Sequence, residues 1–179
     1  MYRIVSGITS LQQHLSILSD TPDLYRPCVC PHCGLNNPWR HGQYHRKADH
    51  GHPAQDSLNP VPIPRFRCRG CARTCSRLPS CIAPRRWYDW EMQQQVLLLL
   101  LAGISLRAAS LSAQRSRHTC RRWWQWLQAR SESFGFHLRS RFAELGRAAD
   151  SISLWRTCMT QISLAGAMAR LDQNGVSVP

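Results

Sequence analysis

Two closely spaced pairs of thiols are the part of this chain best suited to chemistry. Cys30-Pro-His-Cys33 and Cys68-Arg-Gly-Cys71 are CxxC knuckles, and together they supply four soft thiolates for a tetrahedral zinc ion. Each knuckle is a tight turn. Gly34 follows the first and Gly70 lies inside the second, and a residue without a side chain there lets backbone amides approach the sulfurs. A closed four-thiolate site leaves no position for water, so the expected ion is structural and not catalytic. Other candidate ligands surround the four. Cys28 forms a competing CxC with Cys30, Cys75 and Cys81 follow the second knuckle, and His32, His41, His45, His50 and His52 each carry a ligand nitrogen. The competing reading makes Cys75 and Cys81 small buried hydrophobes and leaves the histidines solvated or facing phosphate.

A second pattern suits recognition. Between about Ser116 and Arg130, helical periodicity places Ser116, Cys120, Trp123, Trp124 and Leu127 on one side and His118, Arg121, Arg122 and Gln125 on the other. Arginine takes guanine bidentately and glutamine takes adenine, and a helix carrying both fits the major groove of duplex DNA. Arg115, Arg117 and Thr119 stand at the helix start or its flank, where phosphate contact is expected. A merely solvated face would mix signs. From Arg107 to Arg147 there are nine arginines and two acids, Glu132 and Glu144. The tryptophans are assigned to the core.

These groups need elements to hold them. Residues 1–26 contain one amphipathic stretch, with Leu11, Leu15 and Leu18 on helical spacing. Residues 27–84 hold seven of the nine cysteines and most of the prolines, with no long periodic run, so something other than a large apolar core must hold them, and a metal is the expected staple. Strands are predicted at Trp39–Arg46 and Val61–Arg67. The 34 residues between Cys33 and Cys68 exceed the roughly 15 to 20 of compact four-cysteine sites, so an insertion near Asp49–Pro60 is expected to loop out. Residues 85–130 read as three helices: one with Met92, Val96, Leu99, Leu100 and Gly103 on a stripe, a short one from Leu106 to Leu111 capped by Ser105, and the Ser116–Arg130 helix. Short turns between such helices are the mark of a helix-turn-helix. Residues 131–179 read as one or two further helices, with Ile152, Trp155, Met159 and Ile162 spaced for burial. The fold class expected is therefore small α+β: a zinc ribbon built on a β-hairpin, a helix-turn-helix unit and C-terminal helices.

Charge narrows the partner. The chain has 179 residues, 23 Lys+Arg against 10 Asp+Glu and a net charge of +13, which points to a polyanion. The longest apolar run, Val96 to Ala102, is far short of the ~20 residues of a membrane span, and MYRIVSGITS lacks the apolar core of a signal peptide. The reading is intracellular, with no membrane partner. RNA, whose single strands a basic ribbon with interleaved aromatics could hold, ranks below duplex DNA because Tyr44 and Phe66 make a thin stacking platform.

Cys30-Pro-His-Cys33-Gly34, then Arg65-Phe66-Arg67-Cys68-Arg69-Gly70-Cys71 leading into Thr74-Cys75-Ser76 and Leu78-Pro79, resembles the zinc-ribbon start of bacterial insertion-sequence transposases and their accessory proteins. Gly103-Ile104-Ser105-Leu106-Arg107-Ala108-Ala109, followed by Thr119-Cys120-Arg121-Arg122-Trp123, is similar to the helix-turn-helix that follows the ribbon there. The resemblance implies a DNA-targeting module or accessory regulator of a mobile element, cytoplasmic and nucleoid-associated. Cys75 departs from it, standing where many such ribbons carry an aromatic. A cutting transposase also needs three separated carboxylates on a sheet-based domain, and beyond Arg130 the acids are Glu132, Glu144, Asp150 and Asp172 on helical patterning. The expectation is a chain with no recognisable acidic triad. Its partners are duplex DNA and, in the alternative readings, a separate transposase subunit that holds the nuclease or a second copy in a zinc-stabilised interface.

Overall fold

Residues 3–48, 58–84 and 88–178 are described by the computed structural model. Two compact units emerge, Met1–Asp89 with Ser177–Pro179, and Trp90–Val176.

In the first unit, β1 (Ile4–Val5), α1 (Leu11–Asp20) and a 3-10 turn (Pro22–Tyr25) precede β2 (Trp39–Arg46), β3 (Val61–Arg67), β4 (Thr74–Cys75) and β5 (Leu78–Pro79). The N-terminal helical segment expected over residues 1–26 falls in the same unit as the ribbon. β2 and β3 form an antiparallel hairpin with the boundaries predicted above, Trp39 opposite Arg67 and Arg46 opposite Val61. β4 adds to the far side of β3, and β1 pairs in parallel with β5. The expected Asp49–Pro60 insertion lies outside the described residues except for Leu58, Asn59 and Pro60.

Two prolines in a central strand would ordinarily break its ladder. Pro62 and Pro64 are tolerated because they alternate onto the same side of β3, and β4 pairs only with Phe66 and Arg67. That open side is covered by α1. Leu11, Leu15 and Leu18 were its expected buried face, yet they are only half-buried, and the residue that α1 buries completely is His14. Its Nε2 lies 2.9 Å from the Pro62 carbonyl and its Nδ1 2.6 Å from the Tyr25 hydroxyl. The carbonyl can only accept, so Nε2 carries the proton and Nδ1 accepts from Tyr25. Val5, Ile8, Tyr25, Phe66 and Cys75 form one small core beside this bridge, and Ala48, Val61, Ile63, Leu78 and Ile82 form another.

Burial lowers the His14 pKa below its ordinary 6.5, against the opposing pull of the Pro62 carbonyl. The unfolded chain then binds the proton first, so stability is full above 6.5 and falls as pH drops below it. With zinc in excess, the native thermal midpoint is expected to fall more steeply from neutral to mildly acidic pH than that of His14→Gln. The difference between the two chains is the readout, because thiolate ligation is also linked to protons. Parallel curves would show that His14 titrates normally.

The second unit is helical: α2 (Trp90–Leu101), α3 (Leu106–Ser112), α4 (Arg117–Arg139), α5 (Ala143–Gly146), α6 (Ser151–Gln161) and α7 (Leu164–Gln173). α4 continues past Arg130, so the division expected there falls inside a helix. The reason is an apolar stripe that does not stop, from Cys120, Trp123 and Leu127 to Phe134 and Leu138, all buried. Gly135 keeps that face close to α6, since a Cβ there would stand 3.4 Å from Leu154. α2 buries Trp90, Gln93, Val96, Leu97 and Leu101, a face rotated from the expected one. Trp155 and Met159 are buried as expected, whereas Ile152 is 48% exposed. Gln94 clasps the α6–α7 turn, donating to the Met159 carbonyl at 3.3 Å and accepting from the Leu164 amide at 2.6 Å. Among the described residues, no helix is long and apolar enough to cross a membrane.

Candidate functional site

The first knuckle is a turn closed on itself. The Cys30 amide donates to the Leu35 carbonyl at 2.8 Å, the Gly34 amide to the Cys30 carbonyl at 2.9 Å, and the His32 amide points at the Cys30 sulfur at 3.4 Å. Gly34 has φ +75°, a left-handed conformation that glycine adopts without strain. The second knuckle joins β3 to β4, with the Cys68 amide donating to the Arg73 carbonyl at 3.0 Å. Gly70 lets the two knuckles interlock: a Cβ there would meet the Leu35 side chain at 3.1 Å and the Cys33 and Cys68 sulfurs at 3.8 and 3.9 Å.

The sulfurs of Cys30, Cys33, Cys68 and Cys71 all lie within 4.8 Å of one another. Cys30 and Cys71 are 3.6 Å apart, and Cys33 and Cys68 3.5 Å. A tetrahedral ion with metal–sulfur bonds of about 2.3 Å needs sulfurs about 3.8 Å apart, so four soft donors are gathered at the spacing a metal ion requires. The thiols are poised unequally. The Cys71 amide leads in holding Cys68 down at about 6 against desolvation. At Cys33 the Leu35 amide pulls downward, but the hydrogen bond with Cys68, desolvation and the Cys71 and Cys30 sulfurs push the thiol up to about 11.

Among the described residues this is the group of side chains that can hold a metal ion. Cys28 is exposed and stands outside it. Cys75 packs in the core with Val5, Ile8, Tyr25 and Phe66, its thiol raised chiefly by burial, and Cys81 packs half-buried against the other cluster. His32, His41 and His45 are exposed, while His50 and His52 lie outside the described residues.

In the helical unit, Arg117, His118, Arg121, Arg122 and Gln125 are all exposed on the first turns of α4, and Cys120, Trp123 and Leu127 are buried beneath them. Trp124 is half-buried. Ser116 is not part of the packed side as expected; it is the N-cap, accepting from the Thr119 amide at 3.1 Å. Ser105 caps α3 in the same way at 3.2 Å. The chain turns between α3 and α4 through Gln114 at φ +52°, and the Arg115 amide returns to the Ser110 carbonyl at 3.0 Å. Arg121, Trp124, Gln125 and Gln128 border an open cleft of about 390 Å³ whose other wall is Leu100, Gly103, Ile104 and Leu106. Beside the exposed Glu132, Ser131 accepts from the Trp155 indole at 2.9 Å. Asp150 caps α6, accepting from the Ser153 amide at 2.7 Å, which with the Ser153 hydroxyl holds its carboxyl below the usual range.

Two residues escaped the sequence reading. His14 offered no motif, only a polar residue inside an apolar helical stretch. Trp39 was passed over as a stacking residue in favour of Tyr44 and Phe66, yet Phe66 is 1% exposed and Trp39 40%.

The model of the family described as Domain of unknown function (DUF6431) matches residues 30–123, more than half of the 179, and the chain belongs to that family. The match runs from the first cysteine of the metal group to Trp123 on α4, so it takes in all four sulfurs, α2, α3 and the start of the exposed basic face. No curated protein and no solved structure matches the chain.

Proposed function

We propose that this member of the DUF6431 family is a zinc-stabilised, sequence-specific duplex DNA-binding protein that serves a mobile element as its targeting module or accessory regulator. The observation that carries the reading is the exposed start of α4, which presents Arg117, His118, Arg121, Arg122 and Gln125 with no acid before Glu132. α3, the Gln114 turn and α4 make the helix-turn-helix, with α4 as the recognition helix. Arg121, Arg122 and Gln125 offer the donors and acceptor that read guanine and adenine edges, while Arg117 at the helix start holds a phosphate beside the N-terminal dipole. Zinc is the ion of the four-thiolate site, because soft sulfur donors in tetrahedral array select it over hard cations. It folds the ribbon, whose arginines add sequence-independent affinity for the backbone. The mobile-element role rests on the resemblance of the ribbon and helix motifs to insertion-sequence transposases.

Selection of bound sequences from a random duplex pool by the zinc-loaded chain tests this reading. A single enriched motif is expected, palindromic if two copies bind and one half-site if one does. An unenriched pool would overturn specific recognition. A second reading has one observation behind it: Phe136 and Leu111 are 73% and 69% exposed, apolar surface suited to a second copy or to a separate transposase subunit carrying the nuclease.

A further inference from the structure

β2 is the edge strand of the β2-β3-β4 sheet, and its first five residues, Trp39 to Gln43, are all exposed. Trp39 and Tyr44 are five positions apart, an odd spacing that would put them on opposite faces of a regular strand. The register shift between Arg40 and Gln43, where Gly42 adopts φ +74°, cancels that alternation. Trp39 then pairs with Arg67 and Tyr44 with Ile63, and positions 63, 65 and 67 of β3 share one face. The guanidinium of Arg65 sits 5.3 Å from the Tyr44 ring. The His41 ring meets Trp39 edge-on at 5.1 Å. The face is thus two aromatic rings flanked by two arginines, covered at the Ile63 end by the core and open at the Trp39 end.

We infer that this open face is a second DNA site, one that takes the unpaired bases of a single strand, with a base stacked on Trp39. Aromatic rings offer a π-face to any base, and arginines beside them hold the backbone. Charge complementarity favours that occupant over a protein: the only acids from residue 27 to 84 are Asp49 and Asp56, against Arg40, Arg46, Lys47, Arg65, Arg67, Arg69, Arg73 and Arg77 on or near the strands and knuckles. The choice of DNA over RNA rests on the reading of α4 as a DNA-binding helix. The stacking itself does not.

The test is fluorescence polarisation of the zinc-loaded full chain with a labelled oligothymidylate of about 15 nucleotides. Trp39→Ala is expected to weaken binding roughly 5- to 100-fold and Trp39→Phe to restore most of it, with duplex affinity and zinc content unchanged. Should Trp39→Ala fail to fold, photo-crosslinking of the native chain to an iodouracil-substituted strand gives the answer, with the adduct expected on Trp39. Equal binding by native and folded Trp39→Ala, or adducts confined to α4, would overturn the site, and tighter binding of oligouridylate RNA would overturn its assignment to DNA. Replacing Arg121 and Arg122 by alanine is expected to leave single-strand binding intact, so loss of the duplex reading and loss of this site are separate outcomes.

Discussion

The chain with Cys33→Ser and Cys68→Ser is expected to bind no zinc where the native chain is expected to bind one ion, and to lose the ordered ribbon with it. The size of the effect follows from how little else holds that unit. Among the described residues its two core clusters comprise five buried residues each, whereas a structural zinc contributes roughly 10–16 kcal/mol in small domains, as much as the whole stability of an ordinary one. Serine keeps the shape of the side chain but supplies no soft donor. Metal analysis, limited proteolysis and circular dichroism should agree: no zinc, rapid cleavage between Pro27 and Pro84, and a helical signal largely kept, because none of the four sulfurs belongs to the helical unit. Strong chelators should do the same to the native chain. Cys28→Ser is the control and should keep its zinc, since the Cys28 sulfur stands outside the group of four. A double variant that resists protease like the native chain would show that the metal does not fold the ribbon.

What could be read from the sequence was what is encoded over short distances. Two CxxC pairs declare a cluster of four sulfurs because each knuckle is a single turn, and the strand limits Trp39–Arg46 and Val61–Arg67 follow from the knuckles that flank them and the proline-marked gap between them. Fold-level packing was less legible. In α2 the seven apolar residues from Val96 to Ala102 satisfy several stripes, and the buried Trp90 fixes which one the unit uses. The end of α4 was missed because Arg130 and Glu132 look like a boundary, while Phe134 and Leu138 continue the apolar face a turn later. His14 was invisible because its two partners, Pro62 and Tyr25, come from separate segments. Trp39 joins Tyr44 only through a bulge, and no pattern of period two predicts the face it lands on.

Arg121→Ala with Arg122→Ala is expected to abolish preference for the selected duplex, with affinity for that site down by about 100-fold or more. Each arginine that takes a guanine edge bidentately contributes roughly 1–3 kcal/mol of discrimination, and two on adjacent positions of one helix act within a single groove. Both side chains are exposed, so their truncation should leave the thermal midpoint nearly unchanged, as surface substitutions do. Salt dependence separates the two ways these residues can act. If they read bases, affinity for the selected site falls towards that for random duplex and the slope of log K against log salt is retained; if they hold phosphates, both affinities fall together and the slope shrinks by about one per contact. Arg130→Ala, an exposed arginine two turns further along, should change neither. A double variant that binds the selected duplex as the native chain does would remove α4 as the reading element, and the net +13 charge would then have to be spent through the ribbon alone.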